Sequence, residues 1–371
     1  MTDIFVICGE KSGDILGAKI LKNITNKQII GVIGPEMRKL NISEILPMEK
    51  FELIGFGDII LSIPHIMSIF KKTKQTILKT NPKIVLLIDY IEFNLLLAKK
   101  LRKSGYKGKI VQLVSPTIWA WRKNRKKTLE RYFDLLLTIF PFEEELFATS
   151  TLETHYIGHP IFDNLKNEIL TNDLSHLDGK KIIALFPGSR IKEVKTILKT
   201  QLESVKPFST TFGGDYEITL CVSHEKLLPA IKKIIDKTKL KIILIDPSNR
   251  YELMKRADLA IAKLGSVNLE LAFFEVPTIN VSPIPKFDLF LFMFIFKIYL
   301  PHYCITNIIA KRRIFPEYVG MFATTDNIRK EIENFTTNSR IRNLCIEGCK
   351  EIKTIITINN LNPINYLLKF L

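Results

Sequence analysis

The sequence is poor in cysteine and tryptophan and has no long apolar run. Its 371 residues include five cysteines and two tryptophans. The cysteines are scattered and odd in number. Only Cys345 and Cys349 lie close together, and a single pair of this kind lacks the second pair that a zinc site needs. This predicts a reduced, cytoplasmic protein without a structural metal. No stretch approaches the roughly 20 apolar residues of a membrane-spanning helix. The nearest, Leu289 to Phe296, is closed off by Asp288 and Lys297. The opening MTDIFVICGE has an acid at position 3 and no basic segment, so no signal peptide is expected. The GxGxxG and Walker A patterns are also missing, which argues against NAD and ATP, and no cofactor is expected.

What is present has the profile of a globular chain with real cores: 46% hydrophobic and 25% charged residues. The length suits two domains better than one. The formal charge is +16, from 54 Lys plus Arg against 38 Asp plus Glu. An excess of this size attracts polyanions: nucleic acid, an anionic membrane surface or a phosphorylated substrate. A Lys-, Asn- and Ile-rich chain also fits a bias of genome composition, which explains local clusters less well.

Short apolar runs alternate with longer amphipathic segments. The runs are Ile4 to Cys8, Ile84 to Ile88, Ile110 to Val114, Leu135 to Phe140, Ile182 to Phe186, Ile218 to Val222, Ile242 to Ile245, Leu259 to Ala262 and Thr278 to Val281. They show no polar alternation, as expected of strands buried on both faces of a parallel sheet. Helical patterns such as Asp14 to Asn23, Phe93 to Ser104 and Glu225 to Lys237 lie between them. This rhythm predicts a doubly wound α/β fold. It restarts after the polar stretch Asn172 to Lys180. We therefore expect two Rossmann-like domains, 1–172 and 173–345, facing across a cleft lined by strand carboxyl ends. A helical segment at 346–371 would pack back on the first.

Four local patterns carry candidate chemistry. Gly9-Glu10-Lys11-Ser12-Gly13-Asp14 ends the first strand, with Ser12 or Asp14 able to cap the helix that follows. Pro187-Gly188-Ser189-Arg190, followed by Glu193, makes a tight turn before a helix; free backbone N–H groups and the Arg190 guanidinium suit a pyrophosphate. Gly265-Ser266-Val267-Asn268-Leu269-Glu270 repeats the arrangement after a later strand. The stretch from Trp119 to Arg131 holds both tryptophans, six basic residues and one acid. Such interleaving suits stacking on nucleic acid or a membrane headgroup boundary. Nothing else in the chain resembles a nucleic-acid module, so no nucleic-acid partner is expected.

Taken together in order, these motifs resemble the lipid-A-disaccharide synthase family. Gly9 to Gly17 is similar to its G-E-x-S-G-D-x-x-G opening, and Ile88-Asp89 through Phe93-Asn94 to I-D-x-P-D-F-N. Ser115 to Arg122 resembles S-P-S-V-W-A-W-R, Pro141-Phe142-Glu143 resembles P-F-E, and Ile157-Gly158-His159-Pro160 resembles I-G-H-P. Pro187 to Glu193 resembles P-G-S-R-x-x-E, and Gly265-Ser266 with Leu269-Glu270 resembles G-T-A-x-L-E. The order and spacing hold to about Glu317. There are departures: Ile91 and Glu92 replace Pro and Asp, and Lys263-Leu264 replaces Ala-Ser. Thr306-Asn307-Ile308-Ile309-Ala310-Lys311-Arg312 lacks the Pro and Gly of P-N-L-L-A-G-R, and Gly320 stands where Gln is usual.

The resemblance implies a GT-B-like glycosyltransferase that joins UDP-2,3-diacylglucosamine to 2,3-diacylglucosamine 1-phosphate with inversion, releasing UDP; the alternatives are another UDP-sugar enzyme of the same fold or a non-catalytic lipid-binding relative. It implies a donor site of Gly188, Ser189, Arg190, Glu193, Gly265, Ser266, Glu270, Asn307 and Arg312. Ser12, Ser115, Trp119, Trp121 and Arg122 would serve the acceptor or the membrane. Such a reaction needs a base for the acceptor hydroxyl. Asp89 at a strand's carboxyl end is the candidate, with Glu10, Asp14 and Glu92 as rivals and His159 and His65 still open. Lipid substrates imply a peripheral protein on the cytoplasmic face of the inner membrane. The segments Ile59 to Phe70 and Phe287 to Leu300 are candidate contacts with it.

Overall fold

A computed structural model describes residues 2–52, 59–120, 122–162, 165, 173–284, 300–357 and 362–371. The chain divides into two units, Met1–Pro160 with Asn359–Leu371, and Ile161–Ile358.

The first unit is built on β1 (Ile4–Cys8), β2 (Ile29–Ile33), β3 (Ser43–Pro47), β4 (Ile84–Ile88), β5 (Lys109–Leu113), β6 (Leu135–Thr138) and β7 (Glu153–Tyr156). Their order in the sheet is β3-β2-β1-β4-β5-β6-β7, and every pairing is parallel. Parallel neighbours require crossovers, and helices supply them on both faces. Alternate residues of each strand therefore enter two different cores. Phe5, Ile7, Val85 and Leu87 pack with Phe70, Ile77, Leu97 and Leu101 on one face. Ile4, Val6, Ile84 and Leu86 pack with Leu16, Ile20 and Met37 on the other. Ile364 and Leu367, from the helix Pro363–Leu368, join this second core. Each such side chain contributes about 1.5–3 kcal/mol through burial.

The second unit repeats the plan with β8 (Lys181–Phe186), β9 (Tyr216–Cys221), β10 (Ile242–Ile245), β11 (Leu259–Ala262), β12 (Thr278–Ser282) and β13 (Glu317–Val319). The order is β10-β9-β8-β11-β12-β13, again all parallel. The helix Ile191–Val205 covers this sheet through Val194, Ile197, Leu198 and Leu202. The helices Thr325–Thr337 and Ser339–Thr357 bury Ile328, Ile332, Phe335, Cys345, Cys349, Ile352 and Ile356, a spacing of three and four that presents one face.

Both sheets reverse direction at one place, between β1 and β4 in the first unit and between β8 and β11 in the second. Ligands of doubly wound sheets bind outside the strand carboxyl ends at that switch point. Among the described residues, no helix is long and apolar enough to cross a membrane.

Candidate functional site

A cavity of about 800 Å³ lies at the carboxyl ends of β1, β4, β5 and β6. Its walls are largely apolar, with Ile66, Met67, Phe70, Leu96 and Phe140 among them. The polar groups that line it are Glu10, Asp89, Glu92, Ser115, Thr117, Arg125 and Glu143. Asp89 follows β4 directly, with φ of 50°, and Tyr90 follows at 36°. Val114, at the end of β5, has φ of 72°. Left-handed backbone costs a non-glycine residue about 1–3 kcal/mol, so it persists only where its surroundings impose it.

The surroundings here are two wholly buried amides. Asn94 Nδ2 donates to the Asp89 carbonyl at 2.5 Å. Gln112 Nε2 lies 3.2 Å from the same oxygen and 3.1 Å from the carbonyls of Leu113 and Val114. The two amides also meet each other, 3.3 Å from Asn94 Nδ2 to Gln112 Oε1. The Asp89 backbone is thus clamped from the helix that follows it and from the neighbouring strand β5. Burial raises the pKa of its carboxyl, opposed by a hydrogen bond from the Tyr90 N–H. Gly9 lets Tyr90 in: a Cβ there would stand 2.5 Å from the Tyr90 ring.

Glu143 is a second carboxyl on this cavity, and only 1% exposed. Burial pushes its pKa up to about 8, opposed by the backbone N–H groups of Phe140 and Ile139 and by the nearby Trp119 indole. The Trp119 ring meets Phe142 edge to face with centroids 5.6 Å apart. Burial thus favours the protonated form of Glu143 and shifts Asp89 in the same direction.

The second unit carries a smaller pocket, about 250 Å³, at the ends of β8, β9 and β11. Gly188, Ser189, Ser223, Arg250, Lys263, Gly265, Ser266 and Glu270 line it. Gly188 has φ of 110°, which side chains rarely tolerate, and a Cβ there would strike Glu193 Oε2 at 2.7 Å. Lys263 Nζ sits 2.7 Å from Glu193 Oε1, and Arg190 Nη1 is 3.4 Å from the same oxygen. Burial opposes ionisation of Glu193, but the hydrogen bond and charge of Lys263, with Arg190, hold its pKa below the usual value. Glu270 accepts from Arg250 at 3.0 Å and from the Tyr251 hydroxyl at 3.2 Å. Asn268 fixes the turn by donating to the carbonyls of Lys263 and Gly265.

The structure thus gathers Glu10, Asp89, Glu92 and Ser115 on one cavity and Gly188, Ser189, Gly265, Ser266 and Glu270 on the other, with Glu193 ion-paired to the latter's Lys263. Several other candidates have different tasks. Asp14 is wholly buried inside the helix Lys11–Leu21, whose start it does not cap. Its carboxylate instead accepts the N–H groups of Gly34, Glu36 and Met37, at 2.7 to 3.2 Å, and so caps the next helix, Pro35–Arg38. Asn307 is buried and spends its amide on Ile314 and Phe315. Arg312 pairs with Glu351. Neither lines the second pocket. Ser12 is exposed on the first turn of its helix. Arg190 is 71% exposed. Arg122 pairs with Glu92 at 2.5 Å. Burial lowers the pKa of His159 to about 4, and its ring packs on Phe140. His65 is exposed and meets the Lys50 carbonyl. Trp121 lies outside the described residues, as does 287–299. From the other proposed membrane segment, Ile69 and Phe70 are core residues while Met67 is 52% exposed. Among the described residues no cluster could hold a metal ion.

Sequence reasoning missed Gln112 and Arg250 altogether, met Arg125 only as one basic residue of the Trp119 to Arg131 stretch, gave Glu143 and Asn94 no role, and met Lys263 only as a departure. Two doubly wound parallel sheets, each with its pocket at the switch point, define the GT-B class of fold. A UDP-GlcNAc 2-epimerase from Neisseria meningitidis bound to UDP-GlcNAc superposes with a TM-score of 0.64 at 11% identity, covering 100% of both chains. The chain belongs to the lipid-A-disaccharide synthetase family, whose model matches residues 4–362. It is 40% identical over 325 residues to the lipid-A-disaccharide synthase of Chlamydia trachomatis serovar D, which covers 85% of this chain and 53% of that one. It is 30% identical to lipid-A-disaccharide synthase 2 of Legionella pneumophila strain Lens, over 90% of this chain and 88% of that one. The chain spans about half the length of the chlamydial relatives it matches.

Proposed function

We propose that this chain is an inverting glycosyltransferase that condenses UDP-2,3-diacylglucosamine with 2,3-diacylglucosamine 1-phosphate. The products are an acylated disaccharide 1-phosphate, joined β-1,6, and UDP. The observation that carries the reading is the clamped Asp89 at the floor of a large apolar cavity. An acylated sugar needs apolar volume, and its hydroxyl needs a base.

In this reading the first domain, 1–172, receives the acceptor. Asp89 takes the proton from the acceptor 6-hydroxyl as that oxygen attacks the anomeric carbon of the donor from the face opposite UDP. The bond to the UDP oxygen breaks, and its electron pair leaves with the diphosphate. The second domain, 173–345, holds the donor. Lys263, Arg190 and the backbone N–H groups of the 188–190 turn meet the charge that develops on departing UDP. Glu270 faces the ribose hydroxyls. The segment 346–371, which serves the second unit up to Ile358 and the first from Asn359, is scaffold and takes no part in the chemistry.

The deciding assay uses purified protein with both substrates, scored by product mass and UDP release. Disaccharide formation with stoichiometric UDP is expected. UDP release without acceptor, or interconversion of UDP-sugars, would assign the site to another sugar-nucleotide chemistry. Peripheral attachment to an anionic membrane follows from lipid substrates and the basic surface. Flotation with anionic liposomes should occur at low salt and weaken at high salt; a protein that stays in solution at low salt counts against it.

A further inference from the structure

Arg125 stands at the first turn of the helix Arg125–Tyr132 and forms part of the wall of the apolar cavity. Its side chain is only 11% exposed. Burying a guanidinium beside apolar walls is costly unless an anion is provided. Among the described residues Glu92 supplies one, its Oε1 bridging Arg122 and Arg125. That carboxylate is 62% exposed, at the end of a flexible side chain. A phosphate monoester offers three oxygens and up to two charges, and arginine pairs recognise it bidentately.

We propose that Arg125, with Arg122, receives a phosphate monoester carried by the acylated acceptor, and that Glu92 occupies their donors until the acceptor displaces it. The inference rests on the acceptor reading given above and adds a specificity determinant to it. The neighbours of this pair reinforce its sign: from Arg122 to Arg131 the chain has six basic residues and one acid, Glu130. Burial lowers the pKa of Arg125, so a bound dianion would restore what desolvation costs it. An anionic lipid headgroup offers the same chemistry from a different source. The depth of Arg125 and its place on the cavity that holds Asp89 favour the acceptor.

The test compares the acceptor with and without its 1-phosphate, in neutral detergent micelles free of anionic lipid. The wild type should prefer the phosphorylated acceptor in kcat/KM. Arg125→Gln should reduce that preference by roughly 10- to 100-fold, the size of a charge-assisted contact, losing far more on the phosphorylated acceptor than on the dephosphorylated one. Glu92→Gln should lower KM for the phosphorylated acceptor alone, an effect that a merely structural ion pair would not produce. Equal losses on both acceptors in Arg125→Gln, or a loss seen only on anionic vesicles, overturns the proposal. If the wild type forms no disaccharide from either acceptor, the functional reading fails first, and UDP binding shows whether the donor site stands without it.

Discussion

The two units share a sheet order and a switch point but use them differently. In the first, the strand ends bear left-handed backbone at Asp89, Tyr90 and Val114, and none of these is glycine. In the second, the left-handed position beside the pocket is a glycine, Gly188, and it follows β8, the counterpart of β1 rather than of β4. The first opens onto about 800 Å³ and the second onto about 250 Å³. The contrast follows from what each strand end must present. A turn that offers backbone N–H groups to an anion gains from having no side chain. A turn that aims a carboxylate must carry one, and the fold meets the conformational cost with Asn94 and Gln112. In the proposed reading, the same topology serves a side-chain base in one unit and an anion turn backed by Lys263 in the other.

Substitutions can separate the two halves of this comparison. The largest effect should come from Asp89→Asn, which should lower kcat by at least about a hundredfold while leaving UDP affinity intact. Steady-state kinetics beside calorimetry checks this, and near-normal turnover would move the base to Glu10. Because burial raises the pKa of Asp89, activity of the wild type should fall with decreasing pH above the ordinary carboxylate range. Next come Lys263→Ala and Arg190→Ala. Each should weaken UDP binding, about tenfold or more for the charge-assisted contact of Lys263 and less for the exposed Arg190. Unchanged calorimetric affinity in both would remove the diphosphate from this pocket.

Glu143 gives a smaller effect, on stability. Its carboxyl is raised from 4.5 to about 8 in the folded protein, so the folded state holds a proton that the unfolded chain releases. This contribution is fully present below pH 4.5 and is lost as pH rises toward 8. Tm of the wild type should therefore fall over that window more than Tm of Glu143→Gln; parallel curves would show that Glu143 ionises normally. The smallest effect concerns Lys311, which has φ of 55° as the cap of the helix Ile305–Ala310. Glycine, the residue that family resemblance leads one to expect here, should add up to about 1 kcal/mol, measured as a shift in denaturation midpoint.

The interior strands were legible because burial on both faces demands unbroken apolar runs. The ones that escaped reading have local reasons. Gly31 interrupts β2, β3 is partly exposed and ends in Pro47, β7 reads Glu-Thr-His-Tyr, and β13 has three residues. The last three are edge strands, where alternation and polarity are tolerated. At the sites, residues attached to strand ends could be found from motif order. Arg125, Arg250 and Gln112 could not, because their meaning comes from burial and from partners distant in sequence. Asp14 shows the reverse error: a motif acid at a strand end turned out to face inward, with its oxygens taken by three amides.

The helix Pro363–Leu368 has a consequence for biosynthesis. It supplies Ile364 and Leu367 to the core over β1 and β4, and Lys83 Nζ reaches the Leu371 carbonyl at 2.9 Å. Translation delivers all seven strands of the first sheet, and then the whole second unit, before this cover exists. During that interval the nascent first sheet keeps an apolar patch open to solvent, the kind of surface on which partly made chains aggregate or recruit chaperones.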